Sequence, residues 1–396
     1  MLFTVFSALL PAQQPLPLTE ADQRAAALFQ QSGFTGMVIV IVRNGEVSIK
    51  GYGETAPGSG VRPDANSLLR LCSLSKVFTT DLLLKEVAQG AVNLNDPLQR
   101  FAPRGKLVPK GAAGQRITLE DLATHTSGLP REVSSYPKHT PHFTFPDQTF
   151  RWTWLPQQTL KTPPGTAAFY SNIGFDLLGD ALASATHKSY AQLLDEQILR
   201  PLALYNTTLV PSQQQCARLL RGSRDEGPCT DTQPSGPSGG LYSTPADMAR
   251  FLGYLLRAPG YPAPPSGNLA VHLTPAQLKT MDGLNHAGDP TGIGLAWVQL
   301  GDPATPSAIM EKTGGGAGFN TYIALNPSRQ TGIFVAVTEG EKDWRIDLFH
   351  ETNDLLAALA NVPPLPPRPP KPHLAKKRAP VRKHSPPNKR RKPAKS

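Results

Sequence analysis

The chain of 396 residues can bury a large core in one or two domains, and 39% of its residues are hydrophobic, which is ordinary for a folded protein. No apolar run reaches the ~18 residues that a membrane-spanning helix needs. Residues 363–396 carry 12 of the 40 lysines and arginines and no acid, which leaves 28 basic against 30 acidic residues elsewhere. The net charge of +10 therefore belongs to a tail. This excludes a basic nucleic-acid-binding face on the fold, and we expect no nucleic-acid partner.

The first ten residues are apolar except for Thr4 and Ser7. They resemble the apolar region of a signal peptide, with Ala12 as the cleavage end. The basic leader that precedes such a region is missing. This leaves open either a start upstream of Met1 or an apolar terminus that is not a signal. We assign residues 1–18 as a candidate signal segment and expect a secreted or periplasmic protein.

A hairpin is predicted near the N-terminus. Residues 37–42 form an apolar, β-branched run, and alternating apolar residues follow over 47–52. Asn44-Gly45 between the two runs favours a tight turn, because both turn positions require a positive φ. Further strands are predicted near the C-terminus, before an amphipathic helix over about 344–360. These strands cover residues 293–300, 319–325 and 333–338.

The middle of the chain is predicted to be helical. The apolar spacing predicts helices over residues 73–89 and 172–185. Three further helices begin after the N-cap candidates Thr118, Ser189 and Thr244.

These elements predict an α/β fold of the α+β kind. Because neither strand group makes a sheet alone, the N-terminal hairpin is expected to pair with the C-terminal strands. The catalytic domain would span residues 19–362. Its antiparallel sheet part, flanked by helices, would use about 19–72 plus 236–362, and an inserted all-α subdomain would use about 73–235. The cleft between the two parts is the expected place for a ligand.

The tail over residues 363–396 is rich in Pro, Lys and Arg and cannot bury a core, so we expect it to be disordered. It could bind an anionic wall polymer or a membrane surface, or it could be a solvated tail without a partner.

The three cysteines show no metal-ligand spacing, and the nine histidines are scattered, so no metal or other cofactor is expected. Cys216 and Cys229 close a short polar loop. They form either a disulfide, which would stabilise the fold by roughly 3 kcal/mol, or a pair of thiols. Cys72 is expected to be a small buried residue.

Ser73 and Lys76 are three positions apart at the start of a predicted helix, which stacks both side chains on one face. A lysine can activate a serine nucleophile only if its pKa is lowered, for example by burial and a second cation. Ser135 and Lys138 repeat the spacing, but Pro137 and a polar loop argue against a helix there.

Two further motifs follow in order. Tyr170-Ser171-Asn172 opens a predicted helix, and Lys312-Thr313-Gly314-Gly315 precedes the strand that begins at Phe319. Ser-x-x-Lys, Tyr-x-Asn and Lys-Thr-Gly in this order resemble the signatures of the β-lactamase and penicillin-binding-protein superfamily, class C-like. Within it, the chain is most similar to the D-alanyl-D-alanine carboxypeptidase/endopeptidase group. The resemblance covers about residues 20–361, includes the Cys216 and Cys229 pair, and excludes the tail.

The resemblance implies a serine hydrolase that acts on peptidoglycan stem peptides and binds β-lactams. Ser73 would attack the carbonyl of the penultimate D-Ala, and Lys76 would accept its proton. Tyr170, between Lys76 and Lys312, would have a pKa below the usual ~10. It would protonate the leaving amine and later activate the hydrolytic water. Asn172 would hold the substrate amide.

The Lys-Thr-Gly-Gly segment would complete the site. Lys312 and Thr313 would bind the terminal carboxylate of D-Ala or of a β-lactam. Gly314 and Gly315 would let the strand approach the substrate closely. The backbone N–H groups of Ser73 and Gly315 would form the oxyanion hole.

Three alternatives share these residues. A class C-like β-lactamase would differ only in the speed of deacylation. An esterase of the same fold is disfavoured by the cation of Lys312. A penicillin-binding sensor that does not turn over is disfavoured by the intact Tyr170. A triad built on His125 is also disfavoured, because no Gly-x-Ser-x-Gly elbow surrounds Ser73.

Overall fold

The computed structural model describes residues 15–366, apart from residues 135, 225–226, 282, 285 and 341–345. Most of the candidate signal segment and of the basic tail, residues 1–14 and 367–396, lies outside the described residues. Within the described residues, no helix has both the length and the apolar character needed to cross a membrane.

The α-helices of this part of the chain are α1 (Leu18–Ser32), α2 (Ser75–Ala88), α3 (Leu119–Ala123), α4 (Gln148–Trp154), α5 (Asn172–Thr186), α6 (Tyr190–Leu194), α7 (Gln213–Cys216), α8 (Pro245–Leu255) and α9 (Leu348–Ala360). The strands are β1 (Gly36–Arg43), β2 (Glu46–Gly53), β3 (Leu69–Arg70), β4 (Tyr242–Ser243), β5 (Pro290–Ile293), β6 (Val298–Leu300), β7 (Ile309–Gly316), β8 (Phe319–Asn326) and β9 (Thr331–Thr338).

One seven-stranded antiparallel sheet joins the two ends of the described chain in the order β2-β1-β9-β8-β7-β6-β5. Strand β1 pairs with β9 from Gly36 opposite Thr338 to Arg43 opposite Thr331. The predicted pairing of the N-terminal hairpin with the C-terminal strands is therefore confirmed, as is the α+β fold class. The turn between β1 and β2 has the predicted positive φ angles, 50° at Asn44 and 86° at Gly45.

The sheet is covered on both faces, which explains why β1 is apolar at nearly every position rather than alternating. Val38, Val40 and Val42 pack into the cluster that contains residues of α2, α5 and α8. Met37 and Ile39 point the other way, into the cluster that contains residues of α1 and α9. The cluster that contains Val38 also includes residues of α3, α4 and α6.

The helix starts follow from local capping chemistry. Thr118 and Ser189 each form a capping box with the residue three positions later. The side chain of Thr244 accepts a hydrogen bond from the backbone N–H of Asp247, and Pro245 occupies the first helical position. These three predicted starts are confirmed.

Three predicted elements differ from the structure. Residues 293–300 are not one strand but parts of β5 and β6, because the chain reverses between them at Gly294 and at Ala296, which has a φ of 66°. The helix predicted from residue 73 begins as a 3₁₀ turn over Cys72–Leu74 and becomes α-helical at Ser75. The last helix begins at Leu348, and part of its predicted start lies in residues 341–345, outside the described residues.

Candidate active site

Ser73 lies in the 3₁₀ turn that joins the short strand β3 to α2. Two hydroxyl groups fix this turn. The Ser75 hydroxyl donates to the carbonyl of Cys72 at 2.8 Å and accepts from the backbone N–H of Leu241 at 3.0 Å. The Thr321 hydroxyl of β8 donates to the carbonyl of Leu71 at 2.9 Å. Cys72 has a φ of 53°, which is uncommon for a residue with a side chain and typical of strained positions beside functional groups.

Lys76, which the sequence predicts as the base for Ser73, contacts this serine directly. Its Nζ lies 3.4 Å from the Ser73 Oγ, as the three-residue spacing predicts, and the lysine is fully buried. Nζ also donates to the Asn172 Oδ1 at 2.5 Å and to the carbonyl of Ser238. Burial lowers the pKa of Lys76 well below its usual value, and the positive charge of Lys312 lowers it further. A lysine in this environment can be neutral and can accept a proton.

Tyr170 lies between the two lysines. Its ring centroid is 4.8 Å from the Nζ of Lys76, 5.0 Å from the Nζ of Lys312 and 4.8 Å from the Cζ of Arg131. On another side the ring packs against His125, with the two ring centroids 4.4 Å apart. The Nδ1 of His125 accepts a hydrogen bond from the backbone N–H of Ser171 at 3.1 Å, so His125 supports the segment that presents Tyr170.

The expected low pKa of Tyr170 is wrong in direction. Burial raises the pKa of the phenol above its usual value, and the Ser73 hydroxyl and the charge of Arg131 only partly oppose this. Proximity to the two amines does not outweigh the cost of burying a phenolate, because burial also favours the neutral forms of those amines. Tyr170 is therefore protonated and can donate a proton rather than accept one.

Strand β7 carries the Lys-Thr-Gly-Gly segment. Lys312 and Thr313 are buried, and they pair with Ile323 and Tyr322 of β8. Burial lowers the pKa of Lys312 to about 8, with the Glu311 carboxylate opposing the shift.

Gly314 and Gly315 differ in their surroundings. A Cβ atom on Gly314 would lie 2.2 Å from the Thr321 Oγ1 and 2.8 Å from the carbonyl oxygen of Leu71. Gly315 is exposed, and a Cβ there would come no closer than 3.2 Å to its nearest neighbour, the Asn320 Oδ1. The absence of a side chain at 314 thus lets β7 pack directly against the turn that carries Ser73.

A cavity of about 360 Å³ opens beside the nucleophile and is lined by Ser73, Asn172 and Gly315 among others. Its remaining wall includes three charged residues that the sequence motifs did not indicate, Arg131, Glu132 and Asp176. The amide of Asn172 donates to Glu132, so Asn172 joins this carboxylate to Lys76. Asp176 lies four residues after Asn172 on α5, which puts both side chains on one helix face. This spacing is the sequence signal from which Asp176 could have been predicted as a site residue.

The remaining sequence predictions concern the cysteines, the second Ser-x-x-Lys pair and metal binding. Cys216 and Cys229 are joined in a disulfide with their Cα atoms 5.8 Å apart, and Cys72 is buried. The second Ser-x-x-Lys pair cannot be compared, because Ser135 lies outside the described residues. No group of three or more His, Cys, Asp and Glu side chains that could hold a metal ion occurs in the described part of the chain.

Comparison with known proteins agrees with this geometry. A family model described as Beta-lactamase matches residues 21–359. The chain is 41% identical over 361 residues to the D-alanyl-D-alanine-carboxypeptidase/endopeptidase AmpH of Escherichia coli strain K12, which covers 89% of this chain and 94% of that protein. It is 27% identical over 398 residues to a β-lactamase of Lysobacter lactamgenus, and the match covers 90% of this chain and 97% of that protein.

Among solved structures, the β-lactamase/D-alanine carboxypeptidase from Yersinia pestis complexed with citrate matches with a TM-score of 0.82 and 39% identity. The match covers 86% of this chain and 97% of that one. A class C β-lactamase from Rhodobacter sphaeroides shares the fold at a TM-score of 0.66 and 23% identity. The match covers 85% of this chain and 98% of that one.

Proposed function

We propose that this chain, which belongs to the β-lactamase family, is a serine D-alanyl-D-alanine carboxypeptidase/endopeptidase that acts on peptidoglycan stem peptides. The observation that carries the proposal is the arrangement of Ser73, Lys76, Tyr170 and Lys312 around one cleft. The 41% identity to AmpH over most of both chains supports the same activity.

In the acylation step, the Oγ of Ser73 attacks the carbonyl carbon of the penultimate D-Ala while neutral Lys76 takes its proton. The backbone N–H groups of Ser73 and Gly315 stabilise the oxyanion. The C–N bond then breaks, and the leaving amine receives the phenolic proton of Tyr170, which is replaced from protonated Lys76. The products of this step are free D-Ala and an acyl-enzyme on Ser73.

In the deacylation step, a water molecule attacks the ester carbonyl and returns the Ser73 hydroxyl. Because its pKa is raised, Tyr170 would not activate this water as a standing phenolate. Neutral Lys76 is the base available for the proton of the water, directly or through the Tyr170 hydroxyl.

The carboxylate of the leaving D-Ala would bind Lys312 and Thr313. A cation at this position favours substrates that end in an anion, and this argues against an esterase. A β-lactam presents an equivalent carboxylate and would acylate the same serine. A class C-like β-lactamase is the second candidate, and the similarity to the Lysobacter lactamgenus β-lactamase favours keeping it.

The test is incubation with purified muropeptides and analysis of the products by mass spectrometry, with Ser73→Ala as the control. Release of D-Ala indicates carboxypeptidase action, and conversion of cross-linked dimers to monomers indicates endopeptidase action. Neither product, together with fast hydrolysis of nitrocefin, would favour the β-lactamase instead.

We further propose a secreted or periplasmic location, where the apolar N-terminus acts as a signal segment and the disulfide is stable. We also propose the domain division that the sequence predicts, with a sheet part over about 19–72 and 236–362 and a helical part over about 73–235. The basic tail, residues 363–396, would bind an anionic wall polymer or membrane surface. Cosedimentation of the full chain with purified sacculi or anionic vesicles should weaken with salt and with removal of the tail.

A further inference from the structure

The disulfide lies beside the chain that leads into the nucleophile. On the side of Cys216, the backbone N–H of Leu68 donates to the carbonyl of Arg218 at 2.8 Å. The backbone N–H of Leu220 donates in turn to the carbonyl of Leu68 at 3.0 Å. Leu68 directly precedes β3 and lies five residues before the nucleophile. The segment that follows Cys216 is therefore hydrogen-bonded to the start of this strand.

The other half of the disulfide reaches the same strand through Arg70 of β3. We call residues 227–230 the Cys229 segment. The Nη2 of Arg70 donates to the carbonyl of Pro228 at 2.8 Å and to that of Gly227 at 3.4 Å. Its Nη1 donates to the Tyr242 hydroxyl at 2.7 Å. Only 2% of Arg70 is exposed, so a buried guanidinium joins the Cys229 segment to the strand three residues before the nucleophile.

Strand β4 connects the same segment to the far side of the nucleophile turn. The Tyr242 hydroxyl lies 3.3 Å from both the backbone nitrogen and the carbonyl oxygen of Thr230. The preceding residue, Leu241, contacts the turn twice. Its carbonyl accepts from the backbone N–H of Leu71 at 2.8 Å, and its N–H donates to the Ser75 hydroxyl at 3.0 Å. The two strands that hold the turn are thus both hydrogen-bonded to the Cys229 segment.

The disulfide fixes the position of the acceptors that Arg70 needs. Without it, the Cys229 segment would lose its covalent link to the chain beside Leu68. If the segment moved, the buried guanidinium would lose its two carbonyl partners, and an unpaired charge in the interior is costly. Arg70 would therefore follow the segment and displace β3. A shift of about 1 Å at a reacting group can lower a rate by about 100-fold.

We propose that Arg70 is a positioning residue for Ser73 and that the disulfide controls, through Arg70, how fast Ser73 is acylated. The oxidised protein would be the active form. The reduced protein would stay folded with a slower nucleophile, so the disulfide would act as a redox switch. This inference rests on the proposed function only in taking Ser73 as the acylated residue.

The switching step is thiol–disulfide exchange with an external dithiol. A thiolate of the dithiol attacks one sulfur of the disulfide, the S–S bond breaks, and the second thiol resolves the mixed disulfide. Two electrons and two protons pass to Cys216 and Cys229, and the dithiol leaves as a disulfide. Both cysteines are partly exposed, and their neighbours Ala217 and Pro228 are exposed, so a dithiol can reach the bond.

The test measures the acylation of Ser73 in the full chain by benzylpenicillin. Quenched reactions analysed by mass spectrometry give a binding constant and a rate constant of acylation, at a temperature where circular dichroism shows every form folded. We expect dithiothreitol to lower the rate constant by about tenfold or more and to change the binding constant by less than about twofold. The binding constant is expected to hold because Lys312 and Thr313, which would bind the penicillin carboxylate, lie on β7.

The disulfide itself is tested by replacing Cys216 and Cys229 together with serine. This double variant should show the same loss in the rate constant without any reductant. Dithiothreitol should not change it further, which separates reduction of the disulfide from a direct effect of the reagent.

Two variants test the route through Arg70. Arg70→Lys keeps the charge but lacks the planar fork that reaches both partners, and it should lower the acylation rate constant of the oxidised protein. Tyr242→Phe removes one hydroxyl, disturbs the core less and should also lower the rate constant. In both variants reduction should have a smaller effect than in the unmodified protein, because the same connection is already broken.

Leu359→Ala is the control for stability. This buried leucine of α9 belongs to the cluster on the other face of the sheet, and truncating it should destabilise the fold. The acylation rate constant of this variant and its response to dithiothreitol should equal those of the unmodified protein.

An equal rate constant in the folded oxidised and reduced forms would overturn the inference. So would a loss on reduction that keeps its full size in Arg70→Lys and Tyr242→Phe, or a similar loss in oxidised Leu359→Ala. In each of these cases acylation of Ser73 would leave the proposed function intact. If the oxidised protein were not acylated on Ser73 at all, the proposed function would fail, and the inference with it.

Discussion

The side-chain nitrogen of Lys76 and the hydroxyl oxygen of Ser73 lie 3.4 Å apart at the start of one helix. The lysine is completely buried, and a second buried lysine, Lys312, lowers its pKa further. The chemical role of the pair depends on this combination, because a lysine with its usual pKa of ~10.4 would be protonated at neutral pH and could not activate a serine.

The first prediction concerns the role of Lys76 as the base. Because protonated Lys76 cannot accept the Ser73 proton, kcat/KM for D-Ala release should fall as the pH drops through the lowered pKa of Lys76. Above that pKa it should reach a maximum at a pH well below the ordinary lysine value, and it should fall again as the pH rises through the Lys312 pKa of about 8, because neutral Lys312 no longer attracts the substrate carboxylate. Lys76→Arg keeps the charge but cannot lose its proton, and it should reduce kcat/KM by about 100-fold or more. An arginine variant that retained full activity would refute the role of Lys76.

The second prediction concerns the buried phenol. Tyr170→Phe should lower kcat by about 100-fold or more, because the leaving amine loses its proton donor. The thermal midpoint of this variant should not fall, since the Tyr170 hydroxyl is buried without a hydrogen-bond partner of good geometry among the described residues.

A titration can test the protonation state of Tyr170 separately. Because the pKa of Tyr170 is raised, the difference in phenolate absorbance between the unmodified protein and Tyr170→Phe should stay near zero up to about pH 10. A phenolate that disappears with the substitution at neutral pH would show instead that the two lysines dominate the titration.

The third prediction uses the two adjacent glycines of β7 as a matched pair. Gly314→Ala should reduce the free energy of unfolding by about 1–3 kcal/mol or more, because the new methyl group would overlap Thr321 and the carbonyl of Leu71. Gly315→Ala should cost much less, because its surroundings are more open. Urea denaturation of both variants is the measurement, and equal losses would contradict the close packing of β7 against the Ser73 turn.

The fourth prediction concerns the disulfide, which lies outside the cavity lining. Cys216 and Cys229 are separated by 13 positions, and a loop of this length stabilises the fold by roughly 3 kcal/mol on the chain-entropy model. Replacing both cysteines with serine should lower the free energy of unfolding by about that amount. Reduction with dithiothreitol should have the same effect on the unmodified protein and none on the double variant.

Much of the fold could be predicted from the sequence because the signals are local. The Asn44-Gly45 turn requires positive φ angles, and the Thr118 and Ser189 capping boxes need only residues three positions apart. The boundary between β5 and β6 could not be predicted, because Gly294 to Trp297 continue an apolar run and the reversal depends on tertiary contacts. One such contact is the backbone hydrogen bond from Ala296 to the carbonyl of Ala123.

The site was only partly predictable for a related reason. Ser73, Lys76, Tyr170 and Lys312 lie in recognisable motifs, whereas Glu132 and Asp176, which line the cavity beside Ser73, lie outside them. The pKa of Tyr170 was predicted in the wrong direction because the sequence indicates neighbouring charges but not depth of burial. For this phenol, desolvation has the larger effect.

The fifth prediction addresses the central claim that Ser73 is the residue acylated in the cleft. The purified protein is mixed with benzylpenicillin, and its intact mass and proteolytic peptides are measured by mass spectrometry. We expect a mass increase of one penicillin, located on the peptide that contains Ser73, and no increase in the Ser73→Ala variant. An adduct on another residue, or an equal adduct on Ser73→Ala, would contradict the account.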